Sequence, residues 1–180
     1  MSKDNPLAKR FRKLAGEARD AQTLCEQACR VVVDEGQLRM AWVGRLDTHT
    51  NRVDPITVWG YDEGYVEQSR IALDRTKQSI GPTGTALRER RMVVNNDFRT
   101  SLTGLPWRDE ALKRGYLSSA AFPVIVGNRA WGTLNAYASM PNLFDDARVT
   151  MLAELASELA AALTGLVEPE ADEPEPNPPT

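Results

Sequence analysis

The chain has 180 residues, of which 42% are hydrophobic and 26% are charged, and this is enough for one domain with a buried core. Its net charge is −3, but residues 168–180 alone carry five carboxylates, so the rest of the chain is close to neutral at about +2. This balance argues against a dedicated nucleic-acid binder. The sequence has neither a run of ~18 apolar residues nor an apolar segment near its start, which excludes a membrane-spanning helix and a secretory signal.

The cysteines and the histidine are too few for several kinds of site. Cys25 and Cys29 lie four residues apart in a helical pattern, so they predict neither a disulfide framework nor a zinc site. With His49 as the one histidine, a histidine-rich metal site is also excluded. A reducing cytoplasm is the simplest location for such a chain, with no nucleic acid and no membrane as partner.

The first predicted element is a helix over residues 7–33. Apolar and small residues recur there every 3.5 residues over nearly four heptads: Leu7, Phe11, Leu14, Ala18, Ala21, Cys25, Ala28 and Val32. We expect residues 1–21 to project from the domain and the end of the helix to dock on it. A second heptad pattern marks the last helix, residues 145–166. The two patterns predict a homodimer held by both helices.

The region between these helices alternates in the manner of strands. Residues 38–46 and 53–59 flank a polar turn and predict a hairpin, with Pro55 placing the second strand at an edge of the sheet. A short strand over residues 69–73 follows. Gly81 to Gly84 then opens a short helix that ends near Arg90.

The second half predicts a short strand at 92–94, a long connection, a helix from 106 or 107 to 114, and a hairpin. The hairpin strands, 118–126 and 129–138, are joined by the turn dipeptide Gly127-Asn128. In strand 129–138 one predicted face holds Trp131, Thr133, Asn135 and Tyr137, and the other holds Ala130 and small residues. The small face suits close packing of helices, and the polar and aromatic face suits a pocket.

This order of elements predicts an α+β fold with a central antiparallel sheet of five or six strands. The terminal helices would cover one face of the sheet, and the short helices and loops would cover a ligand cavity on the other. We expect the folded domain to span residues 22–166. Residues 167–180 (VEPEADEPEPNPPT) are acidic and rich in proline and predict a disordered tail.

Four segments, taken together, resemble the GAF domain family. They are GPTGTALRERRMVVNNDF (81–98), WRDEALKRGYLSSAAFPV (107–124), the last strand and closing helix (131–163), and RMAWVGRL (39–46). Segment 39–46 is similar to the first strand of GAF domains that accompany GGDEF or histidine kinase modules. The resemblance covers about residues 22–164. It implies a PAS-like antiparallel sheet with a small-molecule cavity and names no ligand.

The residues that bind cofactors or carry out reactions in particular branches of the family are poorly matched in this sequence. The cyclic-nucleotide motif is half present, since Asn142 precedes leucine where the motif has lysine. A haem on His49 and a bilin on a cysteine are not expected, because His49 falls in the hairpin turn and both cysteines fall on the first helix. The same placement disfavours the thiol chemistry of the free methionine sulfoxide reductases. The chain is therefore expected not to be an enzyme.

The interpretation from sequence is thus a sensory GAF domain that binds an unidentified small molecule and signals through its terminal helices. The alternatives are a GAF-fold enzyme similar to the reductases and a dimerisation module without a ligand. Asp97 either binds a ligand or caps its own loop, and each aromatic residue either lines the cavity or packs in the core. The candidate ligand-binding residues are Trp42, Trp59, Tyr61, Asp97, Trp107, Ser119, Asn135 and Tyr137. A dimer mate or an output protein would read the signal.

Overall fold

The computed structural model describes residues 5–69, 71, 73, 81–101 and 105–166. The predicted tail, 167–180, lies outside the described residues. The elements in chain order are α1 (Pro6–Ala15), α2 (Ala21–Arg30) with a π-helical turn (Val31–Glu35), β1 (Met40–Asp47), β2 (Arg52–Gly60), α3 (Tyr65–Ser69), α4 (Pro82–Glu89), β3 (Val93–Asn95), α5 (Pro106–Lys113), β4 (Ser118–Val126), β5 (Arg129–Ala138) and α6 (Asp146–Thr164).

The strands form one antiparallel sheet in the order β2-β1-β5-β4-β3, which confirms the predicted α+β class. β2, the strand that contains Pro55, lies at an edge, where a residue without an N–H is tolerated. Ile71 and Leu73 continue the hydrogen bonding beyond β2: Val53 N donates to Ile71 O at 2.9 Å and Leu73 N to Asn51 O at 2.7 Å.

The two faces of the sheet carry separate cores. On the helix face, α2 and α6 pack against apolar side chains of β1, β4 and β5 such as Val43, Phe122 and Leu134. On the other face, which we call the pocket face, Met40, Trp42 and Tyr137 pack with side chains from α3, α4 and α5. Terminal helices on one face and short helices on the other is the predicted arrangement, and it is confirmed. Within the described part of the chain, no helix is long and apolar enough to cross a membrane.

The predicted faces of β5 are wrong at the start of the strand, because the strand contains a β-bulge. Val124 pairs with Gly132 and Ile125 pairs with Ala130, so Trp131 is an extra residue in its strand. The bulge moves Trp131 to the helix face and Ala130 to the pocket face. The alternation is as predicted only from residue 132 onward, where Thr133, Asn135 and Tyr137 lie opposite the terminal helices.

The predicted single helix over residues 7–33 is wrong, because the chain breaks between α1 and α2. Asp20 has an extended backbone and caps α2 by accepting from Thr23 N at 2.7 Å. The heptad spacing continues through the break and so concealed it.

Residues 1–21 also do not form a projecting segment in the part that is described. α1 folds back beside α6, with Leu7, Ala8 and Phe11 buried. Asn5 accepts from the first amides of α1 and donates to Met151 O at 2.9 Å and to the Glu154 carboxylate at 2.8 Å. α1 is therefore part of the folded unit.

The heptad positions of α6 are used inside the chain. Val149, Leu152, Ala156, Leu159 and Leu163 are all buried in the helix-face core. The pattern that predicted a homodimer therefore reports packing within one chain, and the dimer through residues 7–33 and 145–166 stays a prediction that must use other side chains of these helices.

Replacing Asn5 with alanine should lower the free energy of unfolding by about 1–2 kcal/mol, because the variant loses the cap of α1 and two hydrogen bonds to α6. Urea unfolding measures the change. Gln22→Ala, at an exposed position of α2, is the control and should change stability by less than about 0.5 kcal/mol. Equal stability of the two variants would show that α1 is not held by Asn5.

Leu159→Asp should destabilise the chain by at least ~3 kcal/mol, since it removes a fully buried leucine and places a carboxylate in an apolar core. Ala161→Asp, on the exposed side of the same helix, is the matched control. Thermal unfolding combined with light scattering separates the possibilities. A Leu159→Asp chain that keeps its melting temperature but changes its mass would place Leu159 at a contact between chains instead.

Candidate functional site

An aromatic cluster forms the floor of the candidate site on the pocket face. Tyr137 of β5 lies with its ring centroid 5.6 Å from that of Tyr65, 5.0 Å from Tyr116 and 6.5 Å from Phe98. Tyr65 and Tyr116 meet edge to face at 5.3 Å, a favourable geometry for two aromatic rings. These contacts join α3, the end of α5 and the sheet.

Beside this cluster is a small inner pocket. Its volume is about 20 Å³, which is room for about one water molecule. Trp107 closes it against Gly81, where an added Cβ would meet the indole ring at 3.4 Å. The described lining consists of Tyr65, Ser69, Ile71, Gly81, Pro82, Thr83, Trp107 and Tyr137.

A larger open groove of about 550 Å³ shares Ile71 with the inner pocket. Its lining combines apolar side chains, among them Trp42, Val58 and Val66, with four charged residues: Arg52, Asp54, Asp62 and Glu67. A volume of this size suits a small organic molecule, whereas the inner pocket alone suits one functional group.

Asn135, a predicted ligand contact, is instead engaged within the protein. Its Oδ1 accepts from Thr83 Oγ1 at 2.8 Å, and its Nδ2 donates to Thr133 Oγ1 at 3.0 Å and to Trp42 O at 3.4 Å. The bond from Thr83 fixes the first turn of α4 to the middle of the sheet. The role of Asn135 is therefore to position α4.

Asp97, another predicted ligand contact, serves its own loop. Its carboxylate accepts from the backbone N–H of Arg99 and from the Arg99 guanidinium at 2.7 Å. These bonds lower the pKa of Asp97 to about 2. Of the two interpretations of Asp97, the loop cap is the one that the geometry supports.

Trp59 and Tyr61 lie away from the pocket, contrary to prediction. Trp59 is on the helix face, where its Nε1 donates to Asp34 at 3.1 Å and the Arg30 guanidinium lies 4.8 Å from its ring centroid. Tyr61 is 40% exposed and has Arg39 over its ring. The remaining predicted residues, Trp42, Trp107, Ser119 and Tyr137, are on the pocket face.

Four polar groups on the pocket face have no hydrogen-bond partner although their atoms are buried. They are Trp42 Nε1, Trp107 Nε1, Asn95 Nδ2 and Ser119 Oγ. Asn95 and Ser119 are cross-strand neighbours, and Ser119 in turn is paired with Tyr137. Asn95, Thr83 and Tyr65 were missed by the sequence analysis. Two signals in the sequence were available. They are the alternation from Val93 to Asn95 in a short strand and the hydroxyl residue Thr83 in Gly-Pro-Thr-Gly.

The described side chains that line the inner pocket carry no charge. Burial raises the pKa values of Tyr65 and Tyr137, so both phenols stay protonated at ordinary pH. The Trp42 indole N–H and the Tyr65 hydroxyl lie close to the Tyr137 hydroxyl. Across the described ranges, no three His, Cys, Asp or Glu side chains lie close enough to hold a metal ion.

The cysteines are far from this site in the fold. Cys25 and Cys29 are fully buried on α2, in the helix-face core. Burial raises the pKa of the Cys25 thiol to about 12 and that of Cys29 well above its usual range.

Solved structures with the same fold include both regulatory domains and enzymes. The GAF domain of a phosphoenolpyruvate-protein phosphotransferase from Coxiella burnetii superposes with a TM-score of 0.74 at 13% identity, covering 88% of this chain and 91% of that one. A domain of a putative two-component sensor histidine kinase from Sinorhizobium meliloti has a TM-score of 0.65 at 13% identity, covering 83% and 94%. No curated protein matches this chain in sequence.

The fold is also that of an enzyme, which corrects one prediction. fRMsr of Staphylococcus aureus in complex with its substrate has a TM-score of 0.72 at 18% identity, covering 91% of this chain and 97% of that one. The free methionine-R-sulfoxide reductases of Neisseria meningitidis and Thermoplasma acidophilum match as well. The prediction from the cysteine placement that this chain is not an enzyme is therefore wrong, because several solved structures with its fold are free methionine-R-sulfoxide reductases.

The family itself follows from the sequence. The family model described as the GAF domain matches residues 18–164, from the end of the α1–α2 connection to the last residue of α6. This match spans most of the chain and all five strands of the sheet. The chain belongs to the GAF domain family.

Proposed function

We propose that this GAF domain binds a small molecule on its pocket face and communicates its occupancy to the terminal helices. The observation that carries the proposal is the inner pocket continued by the open groove, both on the side of the sheet opposite α2 and α6. The ligand's head group enters the inner pocket beside Trp107, and its body lies along the groove on Trp42 and Val58.

Binding has to move the wall of the inner pocket. The pocket has room for about one water molecule, so a larger head group displaces Trp107 from Gly81, and with it the start of α5. Displacement of Pro82 and Thr83 pulls on the hydrogen bond from Thr83 to Asn135. A rearrangement at the pocket therefore reaches the central strand of the sheet.

β5 passes this change through the sheet. Leu134 and Ala136, the neighbours of Asn135 along the strand, are fully buried on the helix face, in the core that α2 and α6 share. Because that core is close-packed, a shift of β5 is felt at both helices. A second copy of the chain or an output protein reads the shift on the outer surfaces of α2 and α6.

The dimerisation module without a ligand has less support. That alternative expects the tryptophans to fill the cavity, but Trp59 and Trp131 lie on the helix face and the groove beside Trp42 is open.

Filling the groove should weaken ligand binding. The variant Val58→Trp places a large ring in the groove from the edge strand β2, and we expect it to weaken binding of the native ligand at least tenfold. The ligand is first detected by native mass spectrometry of protein purified from its own host, and then tested by isothermal titration. His49→Trp, in the exposed turn between β1 and β2, is the control for the added tryptophan and should bind like the parent chain.

The proposal fails under two results. One is a chain that carries no bound molecule from its host and is not stabilised against heat by any member of a broad metabolite library. The other is a ligand that binds Val58→Trp and the parent chain equally well.

Any reaction at this pocket should proceed without Cys25 and Cys29. With its pKa at about 12, Cys25 stays protonated at pH 8, and burial keeps Cys29 protonated as well. We therefore expect both thiols of the folded chain to react with DTNB at least 100 times more slowly than in urea, where two thiols per chain should react at once.

Rapid modification of one thiol in the folded chain would contradict this expectation. An assay of free methionine sulfoxide reduction completes the test. Activity that is present in the parent chain and lost in the Cys25→Ser/Cys29→Ser variant would assign the chemistry to these thiols after all.

A further inference from the structure

The unpartnered polar atoms on the pocket face share one chemical property. Trp42 Nε1, Trp107 Nε1 and Asn95 Nδ2 can donate a hydrogen bond but cannot accept one. Ser101 Oγ lies 2.5 Å from Asn95 Oδ1 and also contacts Asp97 O, so its single proton serves one of these two acceptors at a time. Ser119 Oγ, a hydroxyl, can donate as well. The pocket face thus has a surplus of buried donors.

Buried donors without acceptors are rare in folded proteins, and each needs an explanation. Asn95 is 6% exposed and Ser119 is 2% exposed, so bulk water does not reach them. Trp107 Nε1 lies at the inner pocket, against Gly81. Phe98 and Tyr137 connect the two places: Phe98 packs on Trp107 with a centroid distance of 6.0 Å, and Tyr137 is the cross-strand neighbour of Ser119.

The described lining of the inner pocket has no Lys, Arg, Asp or Glu side chain. The hydroxyl of Thr83 is already donated to Asn135. The first turn of α4 borders the pocket, with Gly81 as its N-cap, and no side chain caps this helix end. The free backbone amides of that turn therefore place a partial positive charge near the Trp107 indole N–H.

From this surplus of donors we infer that the ligand of the pocket face carries a carboxylate, and that its oxygens accept from Trp107 Nε1 in the inner pocket. The inference rests on the proposed function and names the chemical class of its ligand. Ser119 and Asn95 complete the recognition when the ligand moves Trp107 and reaches past Tyr137. A carboxylate that accepts several such bonds remains ionised when buried, so the site needs no arginine or lysine.

The test compares carboxylic acids with their own amides. The probes are propionate, benzoate and indole-3-acetate, each paired with propionamide, benzamide and indole-3-acetamide. The readout is the indole N–H signal of each tryptophan in a ¹⁵N-labelled chain, assigned with single Trp→Phe variants. We expect the carboxylates to shift the Trp107 signal downfield and to bind at least tenfold more tightly than the amides.

Two matched variants isolate the indole donor. Trp107→Phe keeps an aromatic ring and removes the indole N–H, and it should weaken carboxylate binding at least tenfold, as expected for a lost hydrogen bond to a charged acceptor. Trp131→Phe removes an N–H that is equally unpartnered but lies on the helix face, and it should change the affinity less than twofold. Ser119→Ala should weaken the larger probes more than propionate.

The failures of the two proposals are distinguishable. Amides or amines that bind at Trp107 as tightly as the carboxylates would overturn the carboxylate inference and leave the small-molecule site in place. Carboxylate binding that is equal in Trp107→Phe and the parent chain would show that water satisfies the indole and would also overturn it. If no probe moves the Trp107 signal and no ligand is found in protein from its host, the proposed function falls with the inference.

Discussion

β5 is the constraint on which the rest of the structure depends. It is the middle strand of five and hydrogen-bonds to β1 along one side and to β4 along the other. A Cβ at Gly132 would lie 2.1 Å from the carbonyl oxygen of Gly44, so the close approach of β1 and β5 requires a glycine there. Gly44 in turn leaves room for the Trp42 ring, which a Cβ would meet at 2.6 Å. β1, which this close approach holds against β5, thereby places the Trp42 ring in the groove.

The architecture could be predicted from sequence because burial imposes clear periods. Alternation in strands and the heptad spacing of the last helix are direct consequences of a buried face, and the turn dipeptide Gly127-Asn128 fixes the hairpin. The break between α1 and α2 could not be predicted in the same way. The apolar period keeps its phase across the break, and only the cap at Asp20, a local hydrogen-bonding choice, ends the helix.

Two β-bulges reverse the predicted faces of two tryptophans, Trp59, which was a candidate site residue, and Trp131. Between β1 and β2, Val43 pairs with Thr57 and Gly44 pairs with Pro55, so Ile56 is an extra residue in β2. Simple alternation from Val53 puts Trp59 on the pocket face, but the bulge turns it to the helix face, and the bulge at Trp131 does the same in β5. Trp42, Trp107 and Tyr137 lie on the pocket face as predicted, because neither bulge shifts their positions, and their contact with a ligand stays a prediction. Asn95 was missed because its importance lies in an unused hydrogen bond, which no sequence period reveals.

The position of α1 changes where this domain can be cut. The family match begins at residue 18, so a fragment designed on it would discard α1 as a flanking segment. Leu7, Ala8 and Phe11 would leave the core with it, and the side of α6 that they cover would face solvent as an apolar strip. A fragment of this kind would acquire a self-associating surface that the chain with α1 in place does not present. Oligomers of such a fragment would result from the exposed apolar strip on α6, and they would not show how the domain with α1 in place associates.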